Sequence, residues 1–141
     1  MAKIGFIGLG AMGLCMARNL ISKGHKVIGF DFSKVAMDAH VKNGGEIAVS
    51  AAEASAEANF AIAMLPNGNA VKQAVFGPGG VAEKLPNDSL FIDMSTIHPL
   101  ETDQIRQDLL EQGISMVDAP VGRTSVAVSY THLTLPTTPY V

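Results

Sequence analysis

A chain of 141 residues, 48% of them hydrophobic, holds enough apolar side chains for one core and too few residues for two. Its 10 Lys and Arg are interspersed with 13 Asp and Glu to give a formal charge of −3, with no basic block that could follow a phosphate backbone or an anionic leaflet. Nucleic acid and membrane surfaces are therefore not expected partners. The single cysteine, Cys15, cannot close an internal disulfide. No signal peptide or apolar run of about 18 residues appears, which together fits a reducing, cytoplasmic setting.

From the N-terminus, KIGFIG at 3–8 is a short apolar run ending in glycine, and AMGLCMARNLISKG at 11–24 carries Met12, Met16, Leu20 and Ile21 at helical spacing. A strand followed by a helix is expected, with Cys15 and the helix methionines in the core. KVIGFD at 26–31 reads as a second strand, residues 33–45 as a helix closed by Gly44 and Gly45, and EIA as a short third strand. Ser50 with Glu53 three residues on forms a capping-box pattern for a third helix. FAIAML, SLFIDMS and ISMVDAPV then read as strands, NAVKQAVF and PLETDQIRQDLLEQG as helices, and residues 77–80 as a Gly/Pro-rich turn. Strands alternate with helices throughout and most are nearly all apolar. The expected fold is α/β, a Rossmann-type doubly wound parallel sheet covered by helices on both faces.

GLGAMG at 8–13 matches G-x-G-x-x-G where that motif must stand, directly after a strand and opening a helix. Gly8 permits the tight turn, Gly10 lets backbone approach a pyrophosphate, and Gly13 lets helix and strand pack closely. Ala11 and Met12 belong to the first helical turn, whose free N–H groups face the anion. Asp31 closes the second strand 23 residues after Gly8, where a carboxylate accepts hydrogen bonds from ribose hydroxyls and repels a 2′-phosphate. The neighbouring Phe32 and Ser33 supply no arginine, so the expected cofactor is NAD rather than NADP. The alternative for Asp31 is a turn or helix-cap residue. His25 reads as exposed, His40 as part of a surface helix and His98 as a helix-start residue. None has the orienting partner that a catalytic acid or base needs, and no residue spacing suggests a metal.

FIGLGAMG, MLPNGNAV at 64–71, DMSTIHP at 93–99 and DAPV at 118–121 resemble, in order and spacing, the β-hydroxyacid dehydrogenase family. The resemblance runs from Lys3 to about Ala127. It implies that Leu65 and Pro66 pass beside the adenosine half of NAD, that Thr96 faces the nicotinamide end, and that Ser95 faces the substrate. Both segments follow the carboxyl ends of expected strands, where ligands bind in open α/β sheets. On residues alone, the alternative for Ser95 and Thr96 is an ordinary cap for the helix that begins near Pro99. Most of the family continues DAPV with Ser-Gly-Gly, whereas this chain has Gly122, Arg123, Thr124 and Ser125. A guanidinium in that loop favours a strongly anionic, multi-oxygen group, and STIHP followed by DAPVGRTS resembles the sulfolactaldehyde-reducing branch of the family. Gly122, Arg123 and Thr124 are thus expected substrate-binding residues.

The resemblance further implies a proton-donating lysine on a long helix after the sixth strand and an all-helical second domain that builds a homo-oligomer. No catalytic residue is expected within these 141 positions. VSYTHLTLPTTPYV departs from the family and resembles a translated sequencing adapter. The expected organisation is an NAD-binding domain over 1–127 and a non-native tail over 128–141. The function expected is that of the cofactor-binding part of an NAD-dependent reductase for a small anionic aldehyde. A reductase for another small 3-hydroxy acid, or a dinucleotide-binding module without chemistry, are the alternatives.

Overall fold

The computed structural model describes residues 1–121. Gly122, Arg123, Thr124, the expected boundary after Ala127 and the tail lie outside the described residues. Six strands, β1 (Lys3–Ile7), β2 (Lys26–Phe30), β3 (Glu46–Ile47), β4 (Phe60–Ala63), β5 (Leu90–Asp93) and β6 (Ser115–Asp118), form one sheet in the order β3-β2-β1-β4-β5-β6. Every pairing is parallel. Five helices alternate with them: α1 (Ala11–Ser22), α2 (Lys34–Lys42), α3 (Ala51–Ser55), α4 (Gly68–Phe76) and α5 (Pro99–Glu111). A short 3-10 helix at Val81–Glu83, unexpected from the sequence, extends the Gly/Pro-rich turn. The strand order reverses between β1 and β4, which places a topological switch point at the carboxyl ends of those two strands.

The core lies on both faces of the sheet, as the nearly continuous burial of β1 requires. One layer packs Ile4, Phe6, Val27 and Ile62 against Met16 and Ala17 of α1, with Met12 and Cys15 partly buried at its margin. The other packs Ile7, Ala61, Ala63 and Phe91 against Val71 and Val75 of α4 and Ile105 and Leu109 of α5. The alanine content of α3 has a spatial cause. An ideal Cβ at Gly5 would stand 2.6 Å from the Ala54 carbonyl oxygen, so helix and strand touch through backbone where no side chain fits. Ser50 caps this helix by accepting the Glu53 N–H at 3.1 Å, and the helix closes at Ser55.

Two histidine expectations are corrected. His40 is 0% exposed and stands beneath Gly29 and Gly45, with Nε2 3.2 Å from the Val27 carbonyl oxygen. The helix is superficial, but the two glycines opposite leave a slot that an imidazole fills. Burial lowers its pKa from the usual range, opposed by hydrogen bonding to the backbone of Val27 and Glu46. His25 is half-buried, and its Nδ1 accepts the Ala2 N–H at 3.0 Å, fixing the entry to β1.

Candidate functional site: a cleft at the carboxyl ends of the strands

The glycine loop follows β1. Gly8 adopts φ +99°, and an ideal Cβ there would collide with the Met64 carbonyl oxygen, so only glycine serves. An ideal Cβ at Gly13 would collide with the Gly8 carbonyl oxygen, which is the close helix–strand packing expected of the third glycine. Gly10 differs from both: nothing lies within 4 Å of its ideal Cβ. It is the N-cap of α1, with no side chain capping the helix and no acidic residue in the first turn. Ala11, Met12 and Gly13 therefore present first-turn N–H groups beside open space, where helix dipole and free donors favour an anion.

Asp31 binds this loop to the end of β2. Its Oδ2 accepts the Leu9 N–H at 2.7 Å and its Oδ1 the Ser33 N–H at 2.7 Å. Ser33 itself caps α2, accepting the Ala36 N–H at 3.2 Å, so the helix-cap alternative for Asp31 is not what the geometry contains. A carboxylate has lone pairs beyond those two bonds, and Asp31 borders a cleft of about 640 Å³. Gly8, Leu65 and Pro66 line the same cleft, so the structure brings together four of the expected residues. Gly10, Ala11, Met12, Gly13 and Thr96 are not among the residues lining it.

The rest of the lining was missed by sequence reasoning. Phe32, 96% exposed, and Val49, 80% exposed, flank one side, and Phe32 stands edge-on to Phe30 at 5.5 Å. Ala70, Gln73 and Ala74 of α4 form the other. The available signal was their i, i+3, i+4 spacing, which marks one helix face. Pro78 and Gly79 close the outer end. That turn is held by the Glu83 carboxylate, which accepts the Gly79 N–H at 2.5 Å, and by the Ala52 N–H, which donates to the Gly79 carbonyl at 2.8 Å.

On the other side of the switch point, side chains tie the loops together. Ser95 is 4% exposed, and its Oγ accepts the Leu65 N–H at 2.9 Å. The hydroxyl expected to face the substrate thus holds the loop after β4 against the loop after β5. Thr96 is exposed beside it. Neither caps α5, because His98 does so through Nδ1, 3.1 Å from the Leu100 N–H. Asp93, at the end of β5, is 1% exposed and was assigned no role by the sequence. Its Oδ1 accepts the Ser95 N–H at 2.9 Å, while Oδ2 is buried without a partner among the described residues. Burial raises its pKa above the usual carboxylate value, with the Ser95 hydrogen bonds opposing and the charge of Asp118 adding to the rise. Asp118, the register partner of Asp93 on β6, is gripped by Arg106 of α5, which also reaches Asp103.

Among the described residues, no group of three or more His, Cys, Asp or Glu could hold a metal ion, and no helix is long and apolar enough to cross a membrane. The donors and the space fit a dinucleotide. An uncapped helix N-terminus faces a position where a Cβ is absent, and a carboxylate and an apolar cleft lie beside it.

Comparison with known proteins agrees with this geometry. Residues 3–137 match the family described as the NAD binding domain of 6-phosphogluconate dehydrogenase. The chain is 50% identical over 125 residues to 3-sulfolactaldehyde reductase of Escherichia coli (strain K12), covering 89% of this chain and 42% of that protein. It is 40% identical over 118 residues to the mitochondrial 3-hydroxyisobutyrate dehydrogenase of Drosophila melanogaster, covering 84% of this chain and 36% of that one. The structure of Mycobacterium tuberculosis 3-hydroxyisobutyrate dehydrogenase with L-serine superposes with a TM-score of 0.87 at 35% identity, over 92% of this chain and 43% of that one. This chain spans less than half the length of the relatives it matches. With a six-stranded parallel Rossmann sheet and matches of this extent, the chain belongs to the NAD-binding-domain family of 6-phosphogluconate dehydrogenase, in its 3-hydroxyisobutyrate dehydrogenase-like group.

Proposed function

We propose that this domain holds NAD for the reduction of a small anionic aldehyde of the 3-sulfolactaldehyde type. The observation that carries the cofactor half is the convergence of Gly8, Asp31, Leu65 and Pro66 on one cleft, next to the uncapped start of α1. In this reading the N–H groups at Ala11, Met12 and Gly13 hold the pyrophosphate over Gly10, and Asp31 accepts from the adenosine ribose. Leu65 and Pro66 press on the adenosine. Bound in this way, the cofactor in its reduced form, NADH, would supply the hydride to the aldehyde carbon and be left as NAD. Thr96, exposed at the end of β5, borders the nicotinamide end, and Ser95 keeps that loop in place through Leu65.

The substrate half rests on the 50% identity to 3-sulfolactaldehyde reductase and on the presence of Arg123 with Gly122 and Thr124 directly after DAPV in the sequence. A planar guanidinium matches a sulfonate or carboxylate with two parallel hydrogen bonds. The proton for the alkoxide comes, in this reading, from a lysine of the family's helical domain.

Calorimetric titration of the 141-residue chain with NAD and NADP tests the cofactor assignment. NAD is expected to bind more tightly. Asp31→Ala is expected to weaken NAD and narrow the ratio, since it removes both the ribose acceptor and the charge that repels a 2′-phosphate; an unchanged ratio would overturn the role of Asp31. The substrate assignment is tested in the protein carrying the helical domain. There Arg123→Gly should lower kcat/KM for sulfolactaldehyde about ten- to a hundredfold with NADH affinity unmoved, and Arg123→Lys should recover part of the loss. Equal losses on an uncharged aldehyde of similar size would remove the anion-recognition role.

A further inference from the structure

The cleft beside Asp31 is apolar on both walls, and such a surface accepts any flat ring without distinguishing one base from another. Discrimination needs a polar side chain whose hydrogen bonds are not already taken. Three of the lining residues carry one: Asp31, Ser50 and Gln73. Asp31 offers acceptors alone and, in the reading above, turns its remaining lone pairs to the ribose, and Ser50 Oγ accepts the Glu53 N–H as a helix cap. The carboxamide of Gln73 makes no hydrogen bond to another described residue, yet it offers a donor and an acceptor side by side.

Its position is fixed by its helix. Gln73 lies one turn after Ala70 and next to Ala74 on the cleft face of α4, and its backbone carbonyl accepts the Gly77 N–H at 2.9 Å where the helix ends. Its neighbours on that face, Ala70 and Ala74, are both small. Gln73 Oε1 lies beside Gly77 at the end of the helix, where an ideal Cβ would stand 2.5 Å from the Gln73 carbonyl oxygen and 3.1 Å from Oε1, so glycine there leaves room for both.

We propose that Gln73 reads the adenine base of the dinucleotide, its carboxamide oxygen accepting from the 6-amino group and its NH₂ donating to the adjacent ring nitrogen. A glutamine paired in this two-bond manner is a general solution for recognising adenine. The inference rests on the NAD-binding reading above and adds to it a base-selective side chain.

The test uses the 141-residue chain and two probes: NAD, and the analogue in which the 6-amino group of its adenine is replaced by hydrogen. The analogue keeps the stacking face, ribose and pyrophosphate, and lacks only the donor that Gln73 Oε1 accepts. Calorimetry is expected to show NAD bound about two- to tenfold more tightly than the analogue, the range of one net hydrogen bond. In Gln73→Ala the two should bind alike, with NAD falling to the analogue's affinity or below it. Gln73→Glu, which keeps the acceptor and removes the NH₂, should retain a preference for NAD over the analogue while weakening both. An unchanged preference in Gln73→Ala, with melting temperature intact, overturns the role of Gln73 and leaves the NAD reading standing. A chain that binds neither nucleotide overturns the NAD reading and this inference with it.

Discussion

The two halves of the sheet meet at one switch point but build their loops from different material. On the β1–β2–β3 side the loop is backbone. Gly8, Gly10 and Gly13 keep it free of side chains, and the one carboxylate present, Asp31, accepts N–H groups of Leu9 and Ser33. On the β4–β5–β6 side the ties are side chains, with Ser95 holding Leu65, Asp93 holding the Ser95 N–H and Arg106 holding Asp118. The difference follows from what each half must do. A polyanion approaches backbone N–H groups closely only where no Cβ intervenes, whereas loops that must keep a fixed separation are held most firmly by groups that reach across.

The comparison breaks most severely at Gly8. Gly8→Ala forces φ +99° on a residue with a Cβ and drives that Cβ into the Met64 carbonyl oxygen. Strain and overpacking together should cost about 2–6 kcal/mol, a large share of a small domain's stability. Urea denaturation should show a domain unfolded or close to it at room temperature, and a midpoint like that of the wild type would mean that the turn relaxes freely.

Ser95→Ala comes next. It leaves the partly buried Leu65 N–H without its acceptor, which should cost about 1–3 kcal/mol. The melting temperature should fall by roughly 3–10 °C, and NAD affinity should weaken because Leu65 and Pro66 lose their anchor. Ser95→Thr, which retains the hydroxyl, should restore part of both. A variant that keeps stability and cofactor affinity would show that the tie does not position the loop.

Among the described residues each half also buries one titratable group, and the two respond to pH with opposite signs. Asp93 has its pKa raised by burial above the value of 3.8 for a free aspartate. Its protonated form is therefore favoured by folding, and the stability it contributes is present below that value and lost as pH rises through the folded pKa. His40 has its pKa lowered by burial below 6.5. Its neutral form is favoured, and that stability is present above 6.5 and lost as pH falls through the folded pKa. Asp93→Asn should raise the melting temperature by an increment that grows from pH 4 toward pH 7. His40→Gln, whatever its effect near neutrality, should flatten the loss of stability on acidification below about pH 6.5. An increment for Asp93→Asn that is constant with pH would show that folding does not raise the pKa of Asp93.

The sheet was legible because parallel strands covered on both faces must be apolar and their helices must end in glycine or a capping residue. The runs KIGFIG and FAIAML and the Ser50 cap therefore lie where the sequence places them. The tight turn at Gly8, the close packing at Gly13 and the place of Asp31 beside that loop were legible because they are set by backbone and by position along one βαβ unit. His40 was not, since its slot is made by Gly29 and Gly45, which come from different segments of the chain. Gln73, Pro78 and Gly79 escaped for a related reason: a cleft wall is assembled from segments that are each unremarkable alone, a helix face and a turn. Ser95 holds the Leu65 N–H, a tie that no pattern in DMSTIHP announces, since the sequence does not distinguish a hydroxyl facing a ligand from one facing a neighbouring loop.

The smallest effect on folding should come from the middle glycine, and it gives the sharpest comparison with Gly8. Gly10 has φ −69° and ψ −170°, which any residue adopts, and an ideal Cβ there meets nothing within 4 Å. Gly10→Ala should therefore change stability by about half a kcal/mol at most, as a modest exchange at a helix N-cap. If the open space above it is where a pyrophosphate sits, the added methyl displaces that group from the N–H donors of α1. Each charge-assisted hydrogen bond so lost is worth about 1.5–3 kcal/mol, so NAD affinity should drop tenfold or more while the melting temperature stays nearly fixed. Calorimetry and thermal unfolding on the same sample separate the two readouts. An NAD affinity unchanged in Gly10→Ala would mean that the phosphates lie elsewhere and that Gly8 and Gly13 serve packing alone.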